Sequence, residues 1–567
     1  MIRDRLILAL RDALRDLGLP EPPGGPALDV PRHRDQGDFS SSVAMQLKAL
    51  TGSPPRELAE RIRGSLLAAH PAHVESIEVA GPGFVNFHLD PRWTHDVLRE
   101  TVAAGAGYGR SEVLAGRRIN LEFVSANPTG PLHAGGGRWV AVGDAIANLL
   151  AAQGAEVHRE YYLNDAGTQL DMFGASLLAR YHGEEPPDGG YHGQYLVEMA
   201  ERMRAELGGD VTLEVASEWG YHEAVRQLQD DLGRIGVHFD TWFSERVLHE
   251  RGDVDDVLRT LVEGGFTYEQ DGATWLRTTD FGAERDRVLL RSNGAPTYLL
   301  SDLAYHRDKM RRGSTHLIDI WGADHHGQVK SIQAGMQMLG YEPGEPEVVL
   351  GQLVKLLRGG EEVKLSKRAG NIIALADILD EVDPDVVRMT FLLFSIDSAQ
   401  TFDLDVVTAQ SMENPVYYVQ YAHARVASIE RKAVAAGVVR RPLDTVDLSP
   451  LVHERERELL RTLDAYPDVV ADAAHLRAPQ KVSTWVREFA SRFHSFYREC
   501  RVLTDDAELT QARLWLVEAC RIGLGSALGL LGVSAPEAME RLADDTEDDT
   551  DDATGDATAE AGAGAGG

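Results

Sequence analysis

Between residues 119 and 163 the hydrophobic period of this chain switches twice, and that switch limits the fold more than any other feature. In INLEFVSANPTGPLHAGGGRWVAVGDAIANLLAAQGAEVHREYYL, Ile119, Leu121 and Phe123 alternate with the period of a strand. Asn-Pro and Thr-Gly-Pro then break the pattern into an irregular turn. From Arg138 to Leu150 the apolar residues recur at helical spacing, and GAEVHREYYL reads as a second strand. Strand, glycine loop, helix and strand make a βαβ unit, which requires a parallel sheet. The loop then lies at the carboxyl end of the first strand, where open α/β sheets bind their ligands. Similar segments recur in HLIDIWGADHHGQVKSIQAGMQML and PEVVLGQLVKLL. The central fold class is therefore α/β.

A chain of 567 residues is too long for one core, and the length suggests three to four domains. At the N-terminus Ile2, Leu6, Leu10, Leu14 and Leu17 form the stripe of an amphipathic helix. GDFSSSVAMQLKAL is expected to begin a capped helix near its serines, and SIEVAGPGFVNFHL to form two strands around a Gly-Pro-Gly turn. Residues 1–90 thus predict a compact α+β unit. Residues 164–288 look like a mixed helical segment inserted into the sheet domain, and beyond about Ser411 the pattern is helical. No repeat of fixed period stands out.

Net charge is −32, which at first opposes a nucleic-acid partner. The tail at 544–567 carries nine of the acids and no base, and reads as disordered because it has almost nothing to bury. Without it the chain stays strongly acidic, so any RNA must meet local basic surface, such as the arginines between Arg425 and Arg441. Cys500 and Cys520 are the only cysteines, which excludes a disulfide framework and a cysteine zinc site. No run of about 18 apolar residues is evident, so no membrane span is expected. The charged N-terminus lacks a signal peptide's apolar stretch, and a cytoplasmic protein is expected.

Two short stretches carry the chemistry. Three glycines after a strand, Gly135 to Gly137, are neither a Walker A loop nor a dinucleotide fingerprint, yet they can bring a phosphate close to backbone and helix dipole. His133 beside them can donate to phosphate oxygens. The second stretch is KLSKRAGN, where Lys364 and Lys367 flank Ser366. H-x-G after the first strand and K-x-S-K about 230 residues later resemble the two signatures of class I aminoacyl-tRNA synthetases. The resemblance narrows to the arginyl-tRNA synthetase family. ANPTGPLHAGG, REYYLNDAG, DGATWLRTTDFGAERDRVLLRSNGAPTYLLSDLAYH and YYVQYAHAR are similar to that family's hallmarks. GDFSSSVAM and AGPGFVNFHL resemble the additional domain that bacterial members use against the tRNA elbow.

The resemblance implies a Rossmann-like parallel-sheet catalytic domain with insertions, an N-terminal α+β domain and a C-terminal helical anticodon-binding domain. The corresponding boundaries are 1–90 for the additional domain and 113–355 for the catalytic domain, with its insertion at 164–288. Residues 356–410 would hold the K-L-S-K loop and stem, 411–543 the anticodon-binding helices, and 544–567 the tail. The implied partners are tRNA-Arg, L-arginine and ATP, with Mg²⁺ arriving on the ATP phosphates, no tightly bound cofactor, no membrane and a monomeric state. His133, Lys364 and Lys367 are the implied catalytic groups, and Gly135, Gly136 and Ser366 complete the ATP site. A guanidinium is planar and permanently charged, so its pocket needs carboxylates. Glu122 lies on the strand face opposite Ile119, Leu121 and Phe123, and Tyr298 and Asp302 share a face if their segment is helical. By resemblance Tyr298, Asp302 and Gln328 line the side-chain pocket, while Ser125 and Asn127 hold the backbone end of arginine. Tyr418, Tyr421, His423 and Arg425 are expected tRNA contacts, through stacking and edge readout of splayed bases. Adjacent histidines in DHHGQ diverge and no cysteine is near, so no metal is assigned there.

One position departs from the family pattern. The first signature usually ends in a second histidine, and here that residue is Gly136. An uncompensated missing donor to a developing charge costs about 10²–10³ in rate. Either a backbone amide of the triple glycine replaces it, or Arg138 does, or the enzyme is slower. A non-catalytic tRNA-binding paralogue is the alternative that Gly136 leaves open.

Overall fold

The computed structural model describes residues 2–362, 373–408 and 414–539. Lys364, Ser366, Lys367 and the acidic tail lie outside the described residues. The chain divides into two compact units, one from residues 1–108, 422–467 and 488–526, the other from 109–421, 468–487 and 527–567.

In the first unit, helix Ile2–Asp16 buries Ile2, Leu6, Leu10 and Leu14 as the stripe predicts, while Leu17 falls beyond its end. Strands Val74–Ala80 and Phe84–Leu89 pair antiparallel around the Gly-Pro-Gly turn. The helix expected near the serines begins at Val43, directly after Ser42, although Ser42 makes no side-chain cap hydrogen bond. The preceding Phe39–Ser41 joins the sheet as a third strand against Phe84–Leu89. Further along, Tyr108 stacks on Tyr466 with ring centroids 5.7 Å apart and donates its hydroxyl to the Leu463 carbonyl.

The C-terminal stretch contains helices Pro415–Ala435, Glu454–His475, Gln480–Glu499 and Ala507–Leu531. The last one is the long apolar segment that the sequence pattern did not make evident. By length and composition it is long and apolar enough to cross a bilayer, yet 67% of its most apolar window is buried inside the protein. Its apolarity belongs to a core helix.

The second unit holds a five-stranded sheet. We label its strands β1 (Arg118–Glu122), β2 (Glu156–Leu163), β3 (Thr241–Ser244), β4 (His316–Gly322) and β5 (Glu347–Gly351). All neighbours are parallel and the spatial order is β5-β4-β1-β2-β3. Helix α1 (Gly137–Ala152) crosses from β1 to β2, α2 (Tyr298–Arg311) precedes β4, and α3 (His326–Met338) follows it. The strand order reverses between β1 and β4, and that crevice is where such sheets bind ligands. The segment 164–288 is less of an insertion than its composition suggests, because it supplies the edge strand β3. It also supplies a small antiparallel sheet from Thr267–Gln270, Ala273–Leu276 and Arg287–Leu290, which extends just past its end.

Glycines in the β1–α1 connection answer packing demands. A Cβ on Gly137 would lie 2.9 Å from Phe391 and 3.0 Å from Leu375, both in the wall behind the loop. Gly137→Ala is therefore expected to lower stability by about 1–3 kcal/mol, the usual cost of overpacking. A denaturant midpoint unchanged from the parent chain would refute this account.

Candidate active site

β1 ends in an unusual way. Val124 and Ser125 both have positive φ, 71° and 41°, although neither is glycine and Val124 is β-branched. Such backbone costs on the order of 1–3 kcal/mol per residue and persists where the surroundings impose it. It turns Ser125 back onto the strand, so that its Oγ donates to Glu122 Oε1 at 2.9 Å and accepts from the Tyr162 amide at 3.1 Å.

This turn forms one wall of a cavity of about 520 Å³ at the β1/β4 switch point. Glu122, Ser125, Asn127, Tyr298, Asp302 and Gln328, the six side chains expected to hold arginine, all line it. Tyr298 and Asp302 lie one turn apart on α2, and Gln328 sits in the first turn of α3. Asn127 donates its amide to Gln169 Oε1 at 2.7 Å, which ties the turn to the far wall.

The structure adds a buried charge network that the sequence reading missed. Lys309, fully buried, donates to Glu122 Oε2 at 2.6 Å and to Asp319 Oδ1 at 2.9 Å. His306 bonds Asp319 Oδ2 through Nε2 at 2.6 Å and the Asp302 carbonyl through Nδ1 at 2.6 Å. Both acceptors are oxygens without protons to give, so both ring nitrogens donate and His306 is an imidazolium. Its pKa is raised accordingly, Asp319 overcoming the opposing effect of burial. Burial also disfavours the Asp319 carboxylate, but Lys309 and His306 outweigh it and hold its pKa down.

Two cations thus balance Glu122 and Asp319, and two further acids remain. Burial pushes the Asp302 carboxyl up to about 7, with His306 opposing and Glu122, Glu245 and Asp319 adding to the rise. Burial likewise raises Glu245, another cavity residue, whose only ion-pair partner among the described residues is His249 at 3.8 Å. A cavity with surplus, poorly solvated carboxyls favours a cationic ligand. A signal for the network was present in SDLAYHRDKM, where Asp302, His306 and Lys309 share a helix face, and in the lone acid of HLIDIWG.

The chain matches three family models, described as the arginyl-tRNA synthetase N-terminal domain over residues 4–89, the class I (R) tRNA synthetase catalytic domain over 102–187 and 222–390, and the DALR anticodon binding domain over 419–539. It is 47% identical to the arginine–tRNA ligase of Syntrophotalea carbinolica, across 90% of this chain and 94% of that one. The chain belongs to the arginyl-tRNA synthetase family. The arginine–tRNA ligase of Geobacillus thermodenitrificans is 46% identical over the same shares of the two chains. The Thermus thermophilus arginyl-tRNA synthetase structure shares the fold, with a TM-score of 0.75 at 22% identity, covering 95% of this chain and 100% of that one.

Against the arginyl-tRNA synthetase signature, the β1–α1 loop shows where sequence expectation and geometry part. His133 Nδ1 accepts from the Gly135 amide at 2.9 Å, which leaves the neutral ring protonated on Nε2. The Gly136 amide bonds the His133 carbonyl at 2.7 Å, and the Gly137 amide bonds the Ala134 carbonyl. The amides expected to cradle phosphates are therefore engaged within their own turn. Arg138 cannot replace the missing histidine either. It is fully buried, and its guanidinium donates to the carbonyls of Gln352, Ser395 and Ser398. Gly136 itself has ordinary helical backbone, and a Cβ there would meet only the Leu132 side chain, its Cδ1 at 3.0 Å and its Cγ at 3.4 Å. Leu132 to Ala134 pair with Ile373 to Leu375, which brings the chain just after the K-L-S-K segment against the H-x-G loop.

The expected tRNA contacts need correction. Tyr421, His423 and Arg425 are buried, and the Arg425 guanidinium packs 4.3 Å over the Tyr497 ring. Aromatics at helical spacing here fill the core rather than present faces to bases; Tyr418 is half-buried. Nor do the nearby arginines make a free basic patch, since Arg440 pairs with Glu430 and Glu518, and Arg441 with Glu508.

Proposed function

We propose that this chain is an arginine–tRNA ligase that activates L-arginine with ATP and transfers it to the 3′-terminal adenosine of tRNA-Arg. The observation that carries the reading is the convergence of six separately expected side chains on one acid-rich cavity at the sheet's switch point. The arginine carboxylate attacks the ATP α-phosphorus in line, expelling pyrophosphate and giving arginyl-adenylate. The terminal 2′-hydroxyl of the tRNA then takes the arginyl group and releases AMP. No protein nucleophile is required, because positioning and electrostatics carry both steps.

In this reading Asp302, Glu245 and Glu122 face the guanidinium, with Tyr298 and Gln328 beside it. Ser125 and Asn127 hold the backbone end. His133 offers its Nε2–H to phosphate oxygens, and Gly135 serves by lacking a side chain, since a Cβ would lie 3.1 Å from the His133 ring. Lys364 and Lys367, with Ser366, neutralise charge on the reacting phosphates, and Mg²⁺ comes and leaves with the nucleotide. The enzyme acts as a cytoplasmic monomer. Nothing favours a binding-only paralogue beyond Gly136.

Arginine-dependent ATP–pyrophosphate exchange, with and without tRNA-Arg, beside charging of that tRNA, tests the proposal. Exchange and charging in the presence of tRNA are expected; tight tRNA binding with neither reaction would refute it. The pH dependence follows from Asp302. Its carboxyl is protonated below about 7 in the empty site, whereas a bound guanidinium requires the carboxylate. The KM for arginine is expected to be level above pH 7 and to rise ~tenfold per unit as pH falls below it. A flat profile between pH 6 and 8 would count against Asp302 as the guanidinium's partner.

A further inference from the structure

A second cavity, of about 240 Å³, adjoins the arginine cavity and shares Tyr298 and Gln328 with it. Its remaining walls include Arg287, Val288, Leu299 and Ser331. Arg287 lines this cleft and forms no ion pair with a carboxylate among the described residues. It is held instead by neutral groups. Its Nε donates to Ser331 Oγ at 3.0 Å, and its Nη2 bonds the Gly327 carbonyl. The start of α2 is tied to the same strand, since Thr297 donates its amide to the Leu289 carbonyl and its hydroxyl to the Val288 carbonyl, both at 2.8 Å. Tyr298 is 65% exposed there.

A guanidinium set by neutral acceptors keeps its charge for an outside anion. An exposed tyrosine beside it adds a stacking face, the pairing by which proteins hold unpaired nucleotides. Transfer requires the acceptor end of the tRNA to reach the arginine cavity, and this cleft shares the Tyr298 and Gln328 walls with that cavity. We propose that Arg287 anchors a phosphate of the unpaired 3′ end of the tRNA and so positions the acceptor hydroxyl. It is a positioning residue, and its role rests on the proposed arginylation.

The test compares the parent protein, Arg287→Gln and Arg287→Lys for retention of full-length tRNA-Arg and of the same tRNA lacking its last three nucleotides, across a salt series. Arg287→Gln is expected to weaken binding of the full-length tRNA about tenfold. The slope of log affinity against log salt should become shallower by about 0.7, the value for one phosphate contact on a single strand. On the truncated tRNA the parent and variant should bind alike. In charging assays the KM for tRNA should rise while the KM for arginine, at saturating tRNA, stays put. Arg287→Lys keeps the charge and should retain the slope, which separates lost contact from lost fold. Equal losses on both tRNAs, or none on either, would overturn the assignment. If the parent protein itself charges no tRNA with arginine, the functional reading fails first, and the two failures are thereby distinguished.

Discussion

Asp302→Asn is expected to lower kcat/KM for arginine by about 10²–10³, while leaving tRNA affinity as it was. The substitution keeps the volume and removes one surplus carboxylate from a cavity where Glu122 and Asp319 already spend their charge on Lys309 and His306. Truncating one member of a buried charge pair costs about 2–5 kcal/mol, and here the second member is the substrate. The measurement is exchange kinetics with tRNA present, as a function of arginine concentration. The variant should also lose the rise in KM below pH 7, since the group that titrates there is gone. A drop of less than fivefold, with the pH profile intact, would assign recognition to Glu245 instead.

Lys309→Met should have its largest effect on stability. Lys309 is fully buried between Glu122 and Asp319, with its ammonium 4.3 Å from the centre of the Tyr305 ring. Methionine matches its length but leaves the Glu122 carboxylate without its cation and Asp319 with His306 alone. Breaking a buried pair in this way costs about 3–5 kcal/mol. Chemical denaturation should show that loss, and adding Glu122→Gln should recover part of it by removing one uncompensated charge. If the double variant is as unstable as the sum of the two single ones, the ionic account is wrong and the loss is one of packing.

How much of the site was legible differs from residue to residue. Tyr298 and Asp302 were placed on one face by helical spacing, and α2 starts at Tyr298. Glu122 was expected to avoid the core because it alternates with Ile119 and Leu121. It is nonetheless buried, 8% exposed, because Lys309 and Ser125 satisfy its carboxylate from inside. Alternation reports which face a side chain takes and says nothing of what waits on that face. Tyr421, His423 and Arg425 differ for a related reason, as aromatic and basic residues suit a core helix when they are buried and a ring packs against the guanidinium. Arg138, offered as a phosphate donor, is spent on three backbone carbonyls.

What the amino-acid order determined by itself is the local periodicity and its consequences. The switch from period 2 to 3.6 and back dictates the βαβ unit, the parallel sheet and the position of the loop at the strand's carboxyl end. The tertiary structure alone decided the charge state of the pocket. Lys309 reaches Glu122 from 187 residues away, and Glu245 arrives on a segment read as an insertion. A pKa depends on distance and desolvation among groups brought together by folding, and neither quantity is a property of neighbouring residues in a sequence. Hydrophobic period is such a property, which is why the frame could be read from the chain and its electrostatics could not.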